Sequence, residues 1–148
     1  MLFFIDLDNV FVENNISSCS FRKTPSVILV VDDNPVQALT RKAILNRAGL
    51  EVRTAYSAQA AFAALETDAN CEINLIITDH IMPGESGHHF VELLWERRAG
   101  LSVMVLSGLA EAEADYEGLD VTFRSKPILP SELLALATKL SGNVPVKL

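Results

Sequence analysis

The chain has 148 residues, of which 49% are apolar and 21% charged. That is enough length for one domain with a proper core, and the composition is not that of a disordered chain. A net charge of −7 leaves no basic patch to neutralise phosphates, so no nucleic-acid contact and no DNA-binding output domain is expected within these residues. No run of roughly 18 apolar residues offers a membrane span.

Residues 1–24 stand apart from the pattern that follows and read as an N-terminal extension of unknown role. Their start, Met1 to Asp6, is apolar but carries acids where a signal peptide carries bases, so it is expected to be uncleaved and cytosolic. Cys19 and Cys71 share no metal-ligand spacing and are expected to be reduced thiols of a cytoplasmic protein.

From Val27 onward short apolar runs alternate with helical patterns. Val27 to Val31 is a continuous β-branched run, the kind expected of a strand covered on both faces. Asn34 then caps a helix with Pro35 at its first position and Gln37 reaching back to the cap. Val36, Leu39 and Ala43 are expected to line one face, with Gly49 ending the helix. Val52 to Ala55 reads as a second strand. Ser57 caps the next helix, which carries Ala58, Ala61, Phe62 and Leu65 at helical spacing. Leu75 to Thr78 is the third strand, Pro83 to Gly87 a loop, and Phe90, Leu93 and Leu94 mark the helix beyond it. Val103 to Leu106 is the fourth strand and Val121 to Phe123 the start of a fifth. Leu133, Leu136, Ala137 and Leu140 form the stripe of the last helix, and residues 143–148 are a short tail. Strands alternating with helices imply right-handed crossovers and a parallel sheet with helices on both faces.

In open parallel sheets ligands bind outside the carboxyl ends of the strands, so the residues after each strand matter most. They are Asp32 and Asp33, then Asp79, then Ser107, then Lys126. Carboxylates gathered at one edge repel one another unless a cation neutralises them, and an all-oxygen site with open positions suits Mg²⁺. A carboxylate can act as a nucleophile and become an aspartyl phosphate, while an ammonium and a hydroxyl stabilise the transferring group.

Residues 26–141 resemble a response-regulator receiver domain of two-component signalling. The resemblance rests on Val30-Val-Asp-Asp-Asn34, Thr78-Asp-His-Ile-Met-Pro-Gly84, Val105-Leu-Ser-Gly108 and Ser125-Lys-Pro-Ile128, found in this order. It implies a domain at 25–142 with a three-layer, doubly wound (βα)5 flavodoxin-like α/β fold and strand order 2-1-3-4-5. It further implies that Asp79 is the phosphoacceptor, that Asp33 binds Mg²⁺ directly and Asp32 through water, and that the backbone carbonyl of Ile81 completes the protein ligands. Ser107 and Lys126 would contact the phosphoryl oxygens, Ser107 and Phe123 would occupy the switch positions, and the Lys126–Pro127 peptide would be cis. The implied function is a phosphorylation-dependent switch, not an enzyme with an external substrate. Its donor would be a sensor histidine kinase or phosphotransfer protein and its reader a downstream protein. The chain would be a stand-alone receiver or the receiver piece of a hybrid kinase; homodimerisation is left open.

The sequence also admits two other readings. Phe3 to Phe11, with Asp6-Leu-Asp8, resembles the first motif of haloacid-dehalogenase-type phosphatases, which would make Asp6 or Asp79 a turnover nucleophile. A receiver-fold scaffold without phosphorylation is the other, opposed by the intact acidic set, Ser107 and Lys126. His88 and His89 are adjacent at a helix start and so point in different directions, which argues against a metal site. Glu111, Glu113 and Asp115 read as a solvated face.

The chain departs from the family between Ser107 and Lys126. Tyr116 to Asp120 replaces the usual small-residue run, so the fourth helix is expected to be short or irregular. Ile81 and Leu109 are both apolar where a polar side chain could position an attacking water. Slow self-dephosphorylation is therefore expected, with a phosphoryl lifetime longer than minutes in the isolated protein. Following loss of the adduct by intact mass after removal of the donor checks this; a half-life of seconds would contradict it.

Overall fold

The computed structural model describes residues 26–80 and 87–142. The β-branched runs form five strands: β1 (Val27–Val31), β2 (Glu51–Ala55), β3 (Ile73–Asp79), β4 (Ser102–Ser107) and β5 (Thr122–Ser125). All pair in parallel, in the order β2-β1-β3-β4-β5. Alternate side chains of a strand face opposite sides, and each side needs cover. Ile28, Val30, Leu75, Ile77, Met104 and Leu106 pack beneath α1 (Pro35–Arg47) and α4 (Pro130–Ser141). Leu29, Val31, Ile76, Val103, Val105 and Phe123 pack beneath α2 (Ala58–Glu66) and α3 (Gly87–Arg97). Three layers result, as expected from the sequence. Among the described residues no helix is long and apolar enough to cross a membrane.

The connection between β4 and β5 is a seven-residue 3-10 helix, Ala110–Tyr116, which bears out the expectation of an irregular fourth helix. Glu111, Glu113 and Asp115 on it are exposed. Gly87 begins α3 and is buried, so the expected loop is shorter by that residue. The N-terminal extension, the tail and residues 81–86, including Ile81, lie outside the described residues.

Helix α1 differs from its expected orientation. Val36 and Leu39 are 73% and 50% exposed, and the buried positions are Ala38, Arg41 and Leu45. A small residue, a cation and a leucine face the sheet because Arg41 finds a buried carboxylate there, Asp32, at 2.6 Å. Asn34 caps the helix as expected, its side chain accepting from Val36 and Gln37 N–H. The backbone N–H of Asn34, however, donates to Asp32 Oδ1 at 2.9 Å. Gln37 does not complete the expected capping box; its side chain bonds elsewhere, as described below. Cys71 is not a free thiol, contrary to the reduced state expected for it, and Cys19 lies outside the described residues.

At the amino end of the sheet, Asp68 and Arg98 fix the turn into β3. Asp68 accepts from Glu72 N–H at 3.1 Å and Ile73 N–H at 2.8 Å. Arg98 Nη1 donates to Asp68 Oδ2 at 2.7 Å and to Ile73 O at 3.0 Å. Burial by itself would raise the Asp68 pKa, but hydrogen bonds from Ile73, Arg98 and Glu72 outweigh it and the net shift is downward. A carboxyl whose folded pKa lies below its unfolded one stabilises the fold above the unfolded value, about 3.9. That contribution is lost as pH falls through the folded pKa. Asp68→Ala is expected to cost about 3 kcal/mol at neutral pH by stranding Arg98, read from urea unfolding. The gap between variant and wild type should close in acid; a gap independent of pH would contradict this account.

Candidate functional site

Strand register brings the polar residues together. Val31 of β1 lies opposite Thr78 of β3, so the next residues, Asp32 and Asp79, emerge side by side. Asp79 lies opposite Leu106, and Ser107 follows at once. Ser107 lies opposite Ser125, and Lys126 follows that. The ladder continues past the strand ends, with His80 N–H donating to Leu106 O at 2.9 Å and Lys126 N–H to Ser107 O at 2.6 Å. The first bond fixes the backbone just after Asp79, and the second fixes Lys126 against Ser107.

Carboxylate oxygens of Asp32, Asp33 and Asp79 lie within 4.8 Å of one another. Asp32 is 1% exposed, Asp79 is partly buried and Asp33 is exposed, so the cluster opens to solvent on one side. Hard oxygen donors at this separation, with an open side for water, fit Mg²⁺. Lys126 Nζ stands 2.8 Å from Asp79 Oδ1, and the Lys126–Pro127 peptide is cis. The Ser107 hydroxyl is engaged locally, accepting from Leu109 N–H at 2.9 Å and donating to Leu109 O at 3.2 Å. Ser107 is thus at the same edge, but its hydroxyl is turned into its own loop. Leu109 is 45% exposed.

The family model described as the response regulator receiver domain matches residues 28–138. The chain belongs to the response-regulator receiver family. Protein PetR of Rhodobacter capsulatus is 30% identical over 124 residues, a match that spans 82% of this chain and 50% of that protein. Sensor histidine kinase GacS of Pseudomonas protegens is 29% identical over 124 residues, spanning 78% of this chain and 13% of the kinase. The chain thus covers half or less of these two relatives. A response regulator receiver protein from Pseudomonas putida superimposes with a TM-score of 0.71 at 32% identity, covering 79% of this chain and 98% of that one.

Two side chains that the sequence did not mark as site residues touch the site of this receiver. Gln37 Oε1 accepts from Lys126 Nζ at 3.1 Å and from Arg41 Nη2 at 3.2 Å, and Arg41 holds Asp32. Ala38, Arg41 and Leu45 share one helix face, but Val36, Leu39 and Ala43 offer a rival apolar face in the sequence, so no local signal marked either residue.

A second group lies on the other side of the sheet edge. Tyr116 is 3% exposed, with its hydroxyl 2.6 Å from His80 Nδ1 and its ring centroid 5.9 Å from that of Phe123. Burial pushes the Tyr116 phenol up, with the charges of Asp115 and Asp79 adding to it, so it keeps its proton and can donate to the imidazole. His80 Nε2 faces Asp115 at 3.7 Å. His88 pairs with Glu92 on its own helix at 3.6 Å, and neither His88 nor His89 joins a metal-type cluster among the described residues.

Gly87 makes room for this arrangement: a Cβ there would collide with Tyr116 Oη and lie 2.9 Å from Cζ. Gly87→Ala is expected to destabilise the receiver by about 1–3 kcal/mol through overpacking. Tyr116→Phe removes the worst collision, so the double variant should lose less than the two single losses added together. Urea unfolding of the four proteins measures the coupling; strict additivity would show that Gly87 and Tyr116 do not oppose each other.

Proposed function

We propose that this receiver is a phosphorylation-dependent switch in a two-component system or phosphorelay, with Asp79 as phosphoacceptor and Mg²⁺ in the cluster of Asp32, Asp33 and Asp79. The observation that carries the reading is the Lys126 ammonium against the Asp79 carboxylate, beside two further carboxylates. A structural ion pair needs only one acid; three acids facing one ammonium and one guanidinium at an open edge favour a bound cation and an anionic group.

The donor is a phosphohistidine of a sensor histidine kinase or phosphotransfer protein. An Asp79 oxygen attacks phosphorus, the phosphorus–nitrogen bond breaks, and its electron pair stays on the imidazole nitrogen, which takes up a proton. Asp33 would hold the cation directly and Asp32 through water, with the Ile81 carbonyl completing the protein ligands beside Asp79. Bound Mg²⁺ supplies positive charge to the phosphoryl oxygens. Lys126 exchanges its contact with the free carboxylate for one with a phosphoryl oxygen. The Ser107 hydroxyl leaves Leu109 O to donate to another, and Phe123 answers that movement as the second switch residue. Phosphorylation then shifts a two-state equilibrium that a downstream protein reads. A phosphohistidine donor supports a cytoplasmic location for the receiver, and residues 1–24 precede it in the chain as an extension of unknown role.

Incubation with MgCl₂ and acetyl phosphate, followed by intact mass measurement, is expected to show one added phosphoryl group. Asp79→Asn should abolish it, and Lys126→Ala should slow its formation by roughly 10²-fold. Absence of an adduct with several small donors and candidate kinases would defeat the proposal. Multiple-turnover hydrolysis of a phosphomonoester, in place of stoichiometric labelling, would point to a phosphatase.

A further inference from the structure

Phosphoryl transfer as set out above gives no part to Arg41 or Gln37, although α1 holds both against the acidic cluster. Arg41 is 8% exposed. Its Nη1 donates to Asp32 Oδ2 at 2.6 Å and its Nη2 to Gln37 Oε1 at 3.2 Å. The same oxygen of Gln37 accepts from Lys126 Nζ at 3.1 Å, and Lys126 in turn meets Asp79 at 2.8 Å. One continuous chain of polar contacts therefore links Asp32, Arg41, Gln37, Lys126 and Asp79.

The consequence for Asp32 is specific. Its Oδ1 already accepts from Asn34 N–H at 2.9 Å, and its Oδ2 is taken by Arg41. A guanidinium keeps its charge at any physiological pH, and a buried one is costly unless paired. Arg41 therefore cannot leave Asp32 freely, and it cannot lose its charge. A divalent cation entering the cluster must share Asp32 with a fixed positive charge a few ångströms away, where both are shielded from water on the sheet side.

From this juxtaposition we infer that Arg41 is a positioning residue that holds Asp32 in competition with the divalent cation and so weakens Mg²⁺ binding to the unphosphorylated receiver. The inference rests on the Mg²⁺ reading of the site given above. Its corollary is that cation and phosphoryl group favour each other, because the incoming negative charge restores the attraction that Arg41 offsets.

Titration of MgCl₂ into the full chain tests this, by calorimetry and by the Mg²⁺-dependent rise in thermal stability. Arg41→Met and Arg41→Gln both remove the charge, and the second keeps a hydrogen-bond donor for Asp32, so that folding of the metal-free protein is preserved in at least that variant. Both are expected to bind Mg²⁺ about tenfold more tightly than wild type. Arg41→Met should also be less stable without metal and gain more stability on adding it. Arg41→Lys keeps the charge and should stay closer to wild type in affinity. Neutral variants that fold but bind Mg²⁺ no more tightly than wild type would overturn the inference while leaving the Mg²⁺ site intact. Absence of any Mg²⁺ response in wild type and variants alike would remove the Mg²⁺ reading, and this inference with it.

Discussion

Repulsion among carboxylates at one sheet edge is the constraint around which this receiver is arranged. Parallel register forces the convergence: Val31 and Thr78 are partners, so Asp32 and Asp79 must follow as neighbours. Like charges that close destabilise the fold unless positive charge is brought to them. The chain brings it from two directions, with Arg41 reaching Asp32 from α1 and Lys126 reaching Asp79 from the end of β5. Gln37 ties the two cations to a common acceptor. The inner face of α1 accordingly carries an arginine where apolar packing alone would call for a leucine.

The two ends of the sheet show why one charged group is structural and the other is a candidate site. At the amino end, Asp68 meets one guanidinium and two backbone N–H groups, and Arg98 spends its remaining donors on the carbonyls of Ile73, Leu65 and Asp68. Charge there is balanced and most donors are used, so a ligand would have to displace existing bonds. At the carboxyl end three carboxylates face two cations and one of the three, Asp33, is exposed. The excess negative charge and the open side together favour a further cation.

Much of this was legible in the sequence because it is local. β-branched runs marked the strands, and cap residues such as Asn34 and Ser57 marked helix starts where the structure has them. Asp32, Asp33, Asp79, Ser107 and Lys126 were legible because each ends or follows a strand, and parallel topology gathers strand ends. The face of α1 was not. Val36 and Leu39 look like core and are exposed, while Arg41 looks like surface and is buried, since only tertiary contact with Asp32 can offset burying a guanidinium. Gln37 stands at the position of a capping box and instead bridges Arg41 and Lys126, a contact spanning 89 positions along the chain to Lys126 that no local pattern contains.

The irregular stretch between β4 and β5 was legible as a departure, but its physical role comes from where Tyr116 goes. His80 follows Asp79 directly in the chain, and its backbone is tied to β4 through Leu106 O, so the residue next to the carboxylate has little freedom of its own. Its ring meets the Tyr116 hydroxyl, and Tyr116 fills the space that Gly87 leaves empty. A close-packed group of this kind transmits displacement instead of absorbing it. Tyr116 ends the 3-10 helix and leans on Phe123. The exposed acidic residues Glu111, Glu113 and Asp115 ride on that same short helix. A seven-residue 3-10 segment has few internal bonds of its own, and this irregular element packs against the neighbour of Asp79 through Tyr116.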